Sequence, residues 1–408
     1  MDIGTSERIN PDILKWARET AGLSLAEAAE KLGLKDTAKA TAAEKLHKLE
    51  AGGGDPGQTF LRKAVAAYRR PLITFYLPAP PKRGERGEDF RSQTGAVSAR
   101  DNATLDALVR DVRARQQILR EALEDSDDGT ESLPFVGSAY VADGPRSVVA
   151  AMRTTLGITE HQQRLCKGAT QLFALLRSAA ERAGIYVLLL GDVGSYHSDI
   201  GENVFRGFSL VDELAPFVVI NDNDAEVARP FTLIHELAHI WIGASGVSGP
   251  LRGVPENIIE RSCNDIASEF LLPPDAIPDF SNLQTADFDG VYAAVGRLAD
   301  LWNVSEPAVA YRFAQNGWIS GAVASSLFVM FAERWRREKE REKQNKKPED
   351  TGLSFYTVRR HRLGAGLLAV VRRALQEETL TYTRAAKILG VGPASVPPLL
   401  REERFSPR

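Results

Sequence analysis

Apolar positions in residues 10–80 recur at helical spacing, in short runs separated by turn residues. Asn10-Pro11 opens the first run, whose stripe is Ile13, Leu14, Trp16 and Ala17; proline suits the first turn of a helix because the N–H it lacks has no partner there. Ser24 and Glu27 form a capping box ahead of Leu25, Ala28, Ala29 and Leu32, and Gly33 stops that helix. Further helices are expected over 41–50 and 60–68, on either side of the turn containing Gly52, Gly53 and Gly54. Helix, tight turn and short helix is the grammar of a helix-turn-helix unit. Residues 78–87 are rich in proline, glycine and charge and read as a linker. One long charged helix is expected over 104–124 and a loop over 126–131.

The pattern then changes. A helical stripe over 169–183 leads into the continuous apolar run 185–190, a buried strand, with further strands expected over 205–211 and 217–220. Asn221 to Asp224 is a turn. A helix begins at Pro230 and runs to about Gly243; another starts near Pro255 and ends before Pro273-Pro274. Helices follow over 290–316, 363–376 and 381–389, with a charged helix passing into a linker over 334–348. The fold class is therefore α+β, mostly helical. The expected domains are a helix-turn-helix bundle at 1–80, a linker and long helix at 81–130, and a small-sheet domain at 131–280. A helix-turn-helix-like unit at 281–333 and a basic linker with a helical C-terminal domain at 334–408 complete the chain.

Composition narrows the class. With 43% hydrophobic and 26% charged residues, the chain of 408 has the make-up of a soluble globular protein with real cores. No apolar run approaches the length of about 18 residues needed to span a bilayer, so no membrane association is expected. Residues 1–10 lack the basic start and apolar core of a secretory signal. The two cysteines, Cys166 and Cys263, make no disulfide framework, and the expected location is the cytoplasm. The net charge of -3 is uneven: residues 334–408 hold 18 Lys+Arg against 9 Asp+Glu, so that segment is +9 and the remainder -12. Such a tail suits nucleic acid or an acidic partner as well as it suits a solvated linker. Arg359, Arg360, Arg362, Arg372 and Arg373 are its candidate contacts.

The chemistry concentrates at His235-Glu236-Leu237-Ala238-His239. Histidines at i and i+4 present both imidazoles on one helix face, able to grip one ion. Glu236 is rotated about 100° from His235, which removes it from the ligand set and suits it to general-base catalysis toward a water. A catalytic zinc takes three protein ligands. The next helix offers Glu256, Glu260, Asp265, Glu269 and Cys263. Glu260, 21 residues after His239 and near the expected helix middle, is favoured by position and type over Cys263, though only modestly. Asn264, one turn on, could orient a ligating carboxylate. Zinc suits two imidazoles and a carboxylate best, with manganese as the alternative. Tyr196, His197 and Arg261 are candidate oxyanion-stabilising groups among which no spacing selects.

These residues resemble the ImmA/IrrE metallopeptidases, gluzincin-like enzymes often fused to an Xre-type helix-turn-helix domain. The likeness is carried by Arg206-Gly207-Phe208, by Pro216 through Asn221, by Arg229 through His239, and by Glu260 through Pro273. It extends to Asn10-Pro11, Ala17-Arg18, Gly22-Leu23-Ser24, Leu49-Glu50-Ala51-Gly52 and Asp89-Phe90-Arg91, and more loosely to residues 363–391. In the family pattern the glutamate three residues before the small residue and asparagine is the third ligand, which implies Glu260 here and a packing role for Cys263. The resemblance further implies a site-specific endopeptidase that regulates transcription by cleaving a partner repressor with its own helix-turn-helix, in a stress or mobile-element response. An extended substrate is then expected to add beside the strand at 217–221.

The N-terminal unit departs from that pattern. The extra stretch Lys35 to Ala42 falls where a recognition helix belongs, and residues 1–80 carry 12 Lys+Arg against 10 Asp+Glu, a thin phosphate footprint. Protein recognition or homodimerisation is the stronger reading of this module than sequence-specific DNA binding. Residues 298–309 and 381–391 are further helix-turn-helix-like units, each also readable as plain helical packing. The alternative function is a helix-turn-helix regulator or antitoxin-like protein whose peptidase domain serves as sensor or scaffold.

Overall fold

The helical runs of the first eighty residues close into a small bundle of four helices, three of them with side-chain caps. The computed structural model describes residues 9–81, 88–89, 97–126, 131–194, 198–249, 257–345 and 354–401. Phe90, Arg91, Tyr196, His197 and Glu256 lie outside the described residues. The chain divides into two units, Met1–Glu85 with Ala96–Arg110, and Arg86–Gly95 with Asp111–Arg408.

In the first unit, α1 (Pro11–Thr20), α2 (Leu25–Lys31), α3 (Ala42–Glu50) and α4 (Gln58–Tyr68) pack on Ile13, Leu14, Ala28, Leu46, Leu61 and Phe75. Local chemistry sets their ends. The Asn10 side chain accepts from the Asp12 amide, and Ser24 and Thr41 each form a capping box, with Glu27 and Glu44. The extra stretch before α3 is a tight turn bridged between Thr37 and Ala40. Arg18 donates to both carboxylate oxygens of buried Glu50, at 2.7 and 3.0 Å, and ties α1 to the end of α3.

The second unit holds the sheet. Its elements are β1 (Glu88–Asp89), the later turns of α5 (Ala99–Glu124), α6 (Gly144–Leu156), α7 (Glu160–Arg164), α8 (Ala169–Arg182), β2 (Tyr186–Leu189), β3 (Gly207–Leu210), β4 (Phe217–Ile220), α9 (Arg229–Ile242), β5 (Gly246–Ser248) and α10 (Ile258–Leu271). There follow α11 (Phe288–Trp302), α12 (Glu306–Gln315), α13 (Gly321–Asn345), α14 (Phe355–Leu363), α15 (Ala365–Gln376), α16 (Tyr382–Leu389) and α17 (Val396–Leu400). The fold is α+β and mostly helical, as its periodicity predicts. Among the described residues the strands order as β1-β5-β3-β4-β2. β4 runs parallel to β2 and antiparallel to β3, β5 is antiparallel to β3, and β1 is parallel to β5.

This order corrects one expectation. β4 is not a docking edge: β2 and β3 occupy both of its ladders. Its unbroken apolar run already belongs to a strand covered on both faces. β3 and β5 lie on the side of the sheet where the candidate site forms.

The helices at 354–400 are integral to the second unit. Buried Arg177 on α8 donates to Glu181 Oε1 at 3.0 Å and to the carbonyls of Val187 (2.6 Å), His361 (2.6 Å) and Arg362 (3.2 Å). Glu181 Oε2 in turn accepts from the Gly366 amide at 3.0 Å. Four of the five arginines that charge counting singled out have internal partners. Arg359 donates to Leu389 and Gly390 carbonyls, Arg360 to Pro398 and Leu399, and Arg372 to Leu400. Arg362 pairs with Asp192 at 2.8 Å and Asp222 at 2.7 Å. Arg373 pairs within its own helix with Glu377 at 3.7 Å.

Candidate metal centre

α9 is apolar around nearly its whole circumference, and residues 232–241 are all buried. A helix of that composition is held in a core, so any polar side chain on it must find a partner or a purpose. Pro230 starts it and Gly243, with φ of 82°, ends it. The i, i+4 spacing brings the His235 and His239 rings to a centroid separation of 4.9 Å, with their Nε2 atoms 3.2 Å apart.

The third group comes from α10. Asn257 caps that helix by accepting from the amides of Ile259 and Glu260. The helix therefore begins at Ile258 and Glu260 sits in its first turn, not at its middle as the sequence pattern suggests. Glu260 Oε1 is 2.9 Å from His239 Nε2 and 3.4 Å from His235 Nε2. These three buried residues are, among the described residues, the one cluster of His, Cys, Asp and Glu side chains with metal-ligand geometry. The other candidates are engaged elsewhere. Cys263 is buried in the core, which pushes its thiol well above its ordinary pKa. Asp265 accepts from the Tyr311 hydroxyl at 2.8 Å, Glu269 faces Arg312 at 4.0 Å, and exposed Arg261 acts on Asp265. The Asn264 side chain acts on the His235 imidazole, favouring its charged form.

The floor of the site is the sheet. β3 and β5 pair so that Gly207 is opposite Ser248 and Ser209 opposite Gly246. Residues at i and i+2 share a face, which places Gly207, Ser209 and Ser248 together beneath α9. A Cβ on Gly207 would stand 2.7 Å from Glu236 Oε1 and 2.9 Å from Thr232 Cγ2, so the missing side chain is the space Glu236 occupies. Ser248 Oγ lies 3.1 Å from His235 Nε2 and 3.4 Å from Glu260 Oε1. None of these three floor residues carries a ligand-type signature in sequence. The signal available was a glycine and two serines inside strands that are otherwise apolar.

Electrostatics divide the two glutamates. Burial raises the Glu236 carboxyl to about 8, with the negative Glu260 adding to the rise and His235, Ser248 and Ser209 opposing it. Burial also pushes Glu260 upward, but the two imidazoles outweigh it and bring the group down to about 2. The same burial disfavours charge on both imidazoles. His235 is nevertheless raised by Glu260, whereas His239 is lowered, the charge of His235 adding to its burial.

The residues fit a divalent ion. Ligand atoms about 2.0–2.1 Å from a tetrahedral ion stand roughly 3.3 Å apart, and the three donor atoms here are 2.9, 3.2 and 3.4 Å apart. Two imidazole nitrogens and a carboxylate converging on one buried point bring three lone-pair donors together, an arrangement a cation relieves. Among the described residues, neither buried oxygen of Glu236 has a hydrogen-bond partner.

Residues 180–314 match the family described as the IrrE N-terminal-like domain, Peptidase_M78. That span takes in β2 through β5, α9 and α10, and thus every residue of the cluster. Among curated proteins and solved structures there is no match. The second unit thus contains a segment similar to a peptidase family's domain, together with a side-chain group able to hold a metal. Among the described residues, no helix is long and apolar enough to cross a membrane.

Proposed function

We propose that this protein is a metal-dependent, site-specific endopeptidase, with His235, His239 and Glu260 as metal ligands and Glu236 as catalytic base. The observation that carries the reading is the convergence of three ligand atoms within 3.4 Å of one another beside an unpartnered buried carboxylate. A bound zinc ion would supply Lewis acidity and lower the pKa of water, and manganese would serve the same role.

The chain's own residues do the rest. Glu236, held over Gly207, takes a proton from the attacking water and returns it to the departing amine. A carboxyl raised by its dry surroundings binds a proton well enough to carry it between those two steps. Glu260 remains an anion through the same cycle. Asn264, one turn along α10 from Glu260, would support the charged form of the His235 imidazole on which it acts.

The substrate class follows from the resemblance: a helix-turn-helix repressor encoded nearby, cleaved at one site in a stress or mobile-element response. The capped helical bundle of the first unit suits recognition of such a partner. The test incubates purified protein with that repressor and zinc or manganese, and maps the products by mass spectrometry. One internal cut, lost in Glu236→Gln, is the expected result. Equal cutting by both proteins, or none with either metal, rejects the reading.

A further inference from the structure

Ser248 is buried, lies in a strand, and has no role in the reading above. Its carbonyl accepts from the Arg206 amide at 3.0 Å. Its hydroxyl meets the ligand cluster, beside His235 and Glu260.

Its place there is tightly determined. The register with β3 sets Ser248 opposite Gly207, so it stands beside the space that Glu236 fills. The link from α9 to β5 is only Gly243 to Ser245, and Ser245 Oγ accepts from the Val211 amide at 2.8 Å. Ser248 cannot drift from the histidines without moving the strand. Its oxygen lies 3.1 Å from His235 Nε2 and 3.4 Å from Glu260 Oε1. Those separations match the ones among the three ligand atoms, and the roughly 3.3 Å expected between donors that share a tetrahedral ion. A group that only oriented a water in the fourth position would stand one atom further out.

We propose that the Ser248 hydroxyl is a fourth protein donor to the metal, so that the resting centre is closed by the chain itself. The inference rests on the metal-centre reading and deepens it. A structural site has four protein donors, a catalytic one three and an open position. Ser248 places this centre in the first condition until the hydroxyl yields. A neutral hydroxyl is the weakest donor of the four and the natural one to leave.

The experiment loads the full-length protein with Co2+ and records visible and near-ultraviolet absorption, with metal affinity from competition against a chelator. Ser248→Ala removes one oxygen atom and should weaken Co2+ binding about tenfold, within the range for loss of a ligand-supporting group, and change the visible d–d bands. Ser248→Cys should produce a thiolate-to-cobalt charge-transfer band that the wild type lacks and bind Co2+ more tightly than wild type. Unchanged affinity and bands in Ser248→Ala, with no charge-transfer band in metal-loaded Ser248→Cys, overturn the proposal. A thiolate band already present in wild type would assign the fourth place to Cys263 and overturn it equally. If wild type binds no stoichiometric Co2+, or His239→Ala binds it as well as wild type, the metal-centre reading itself falls, an outcome distinct from the failure of Ser248 alone. Circular dichroism and thermal melting confirm that each variant is folded.

Discussion

Glu236 sits where a side chain on Gly207 would be: a Cβ built there lies 2.7 Å from Glu236 Oε1 and 2.9 Å from its Cγ. The backbone at this glycine needs no left-handed conformation. The requirement is for space alone, and it links a strand residue to a helix residue 29 positions on.

Gly207→Ala should therefore act on Glu236 and spare the ligands. Overpacking of a tight site costs about 1–3 kcal/mol, and displacement of the base should lower the cleavage rate by roughly tenfold or more. Metal stoichiometry should stay at the wild-type value. Unaltered melting temperature and cleavage in Gly207→Ala would show that the carboxylate does not depend on this space.

Glu236→Gln should abolish cleavage, by roughly 10²–10⁴-fold, and change the pH dependence of stability in the metal-free protein. An acid whose folded pKa is raised costs stability once the unfolded chain ionises. For Glu236 that cost grows from the ordinary carboxyl value near 4.5 up to about 8 and is constant above. Every tenfold change in the ionisation constant is about 1.4 kcal/mol. Metal-free Glu236→Gln should thus be more stable than wild type at pH 8 and equal to it near pH 4. Urea unfolding at the two pH values measures this, and a gap that does not widen with pH would contradict the dry setting of Glu236.

A divalent ion should stabilise the second unit. Binding to the folded state alone contributes about 2.7 kcal/mol at a metal concentration a hundred times Kd. Zinc should raise the melting temperature of wild type and a chelator should reverse it. His239→Ala and Glu260→Gln should lose most of the rise, because each removes one of the converging ligand atoms. A rise preserved in both variants would locate the ion elsewhere.

Arg177→Ala should loosen the C-terminal helices. The guanidinium serves Glu181 and three carbonyls on β2 and α14 from a buried position. Removing one partner of a buried ion pair costs about 3–5 kcal/mol. Denaturant unfolding should show that loss, with new proteolytic cuts in residues 354–364. An Arg177→Ala protein with wild-type stability and cutting pattern would mean that α14 is held by its apolar contacts alone.

Much of the site is legible before folding. The spacing of His235 and His239 defines a ligand pair because an α-helix returns to the same face every four residues. The helix start at Asn10-Pro11 and the capping box of Ser24 with Glu27 were legible for a similar reason: each is a short-range hydrogen bond whose partners lie two or three residues apart. Glu260 was reachable from spacing only as one of several acids on a following helix. Its first-turn position came from the Asn257 cap, three residues back, and its selection needs α10 to lie against α9.

Other features had no local trace. Four of the five tail arginines read as nucleic-acid contacts by charge alone, yet they spend their donors on internal carbonyls and aspartates. Charge counts carry no direction. The strand at β4 was found in place, but its ladder partners were not, because one apolar run looks alike at an edge and in a centre.

Periodicity, caps and the His-Glu-x-x-His spacing were settled by the amino-acid order, since each depends on interactions within a turn or two of helix. Gly207, Ser209 and Ser248 became a floor beneath Glu236 only through the pairing of β3 with β5. That register is a long-range choice: shifting it by one residue would turn these side chains to the opposite face, and nothing within either strand alone records which way they point.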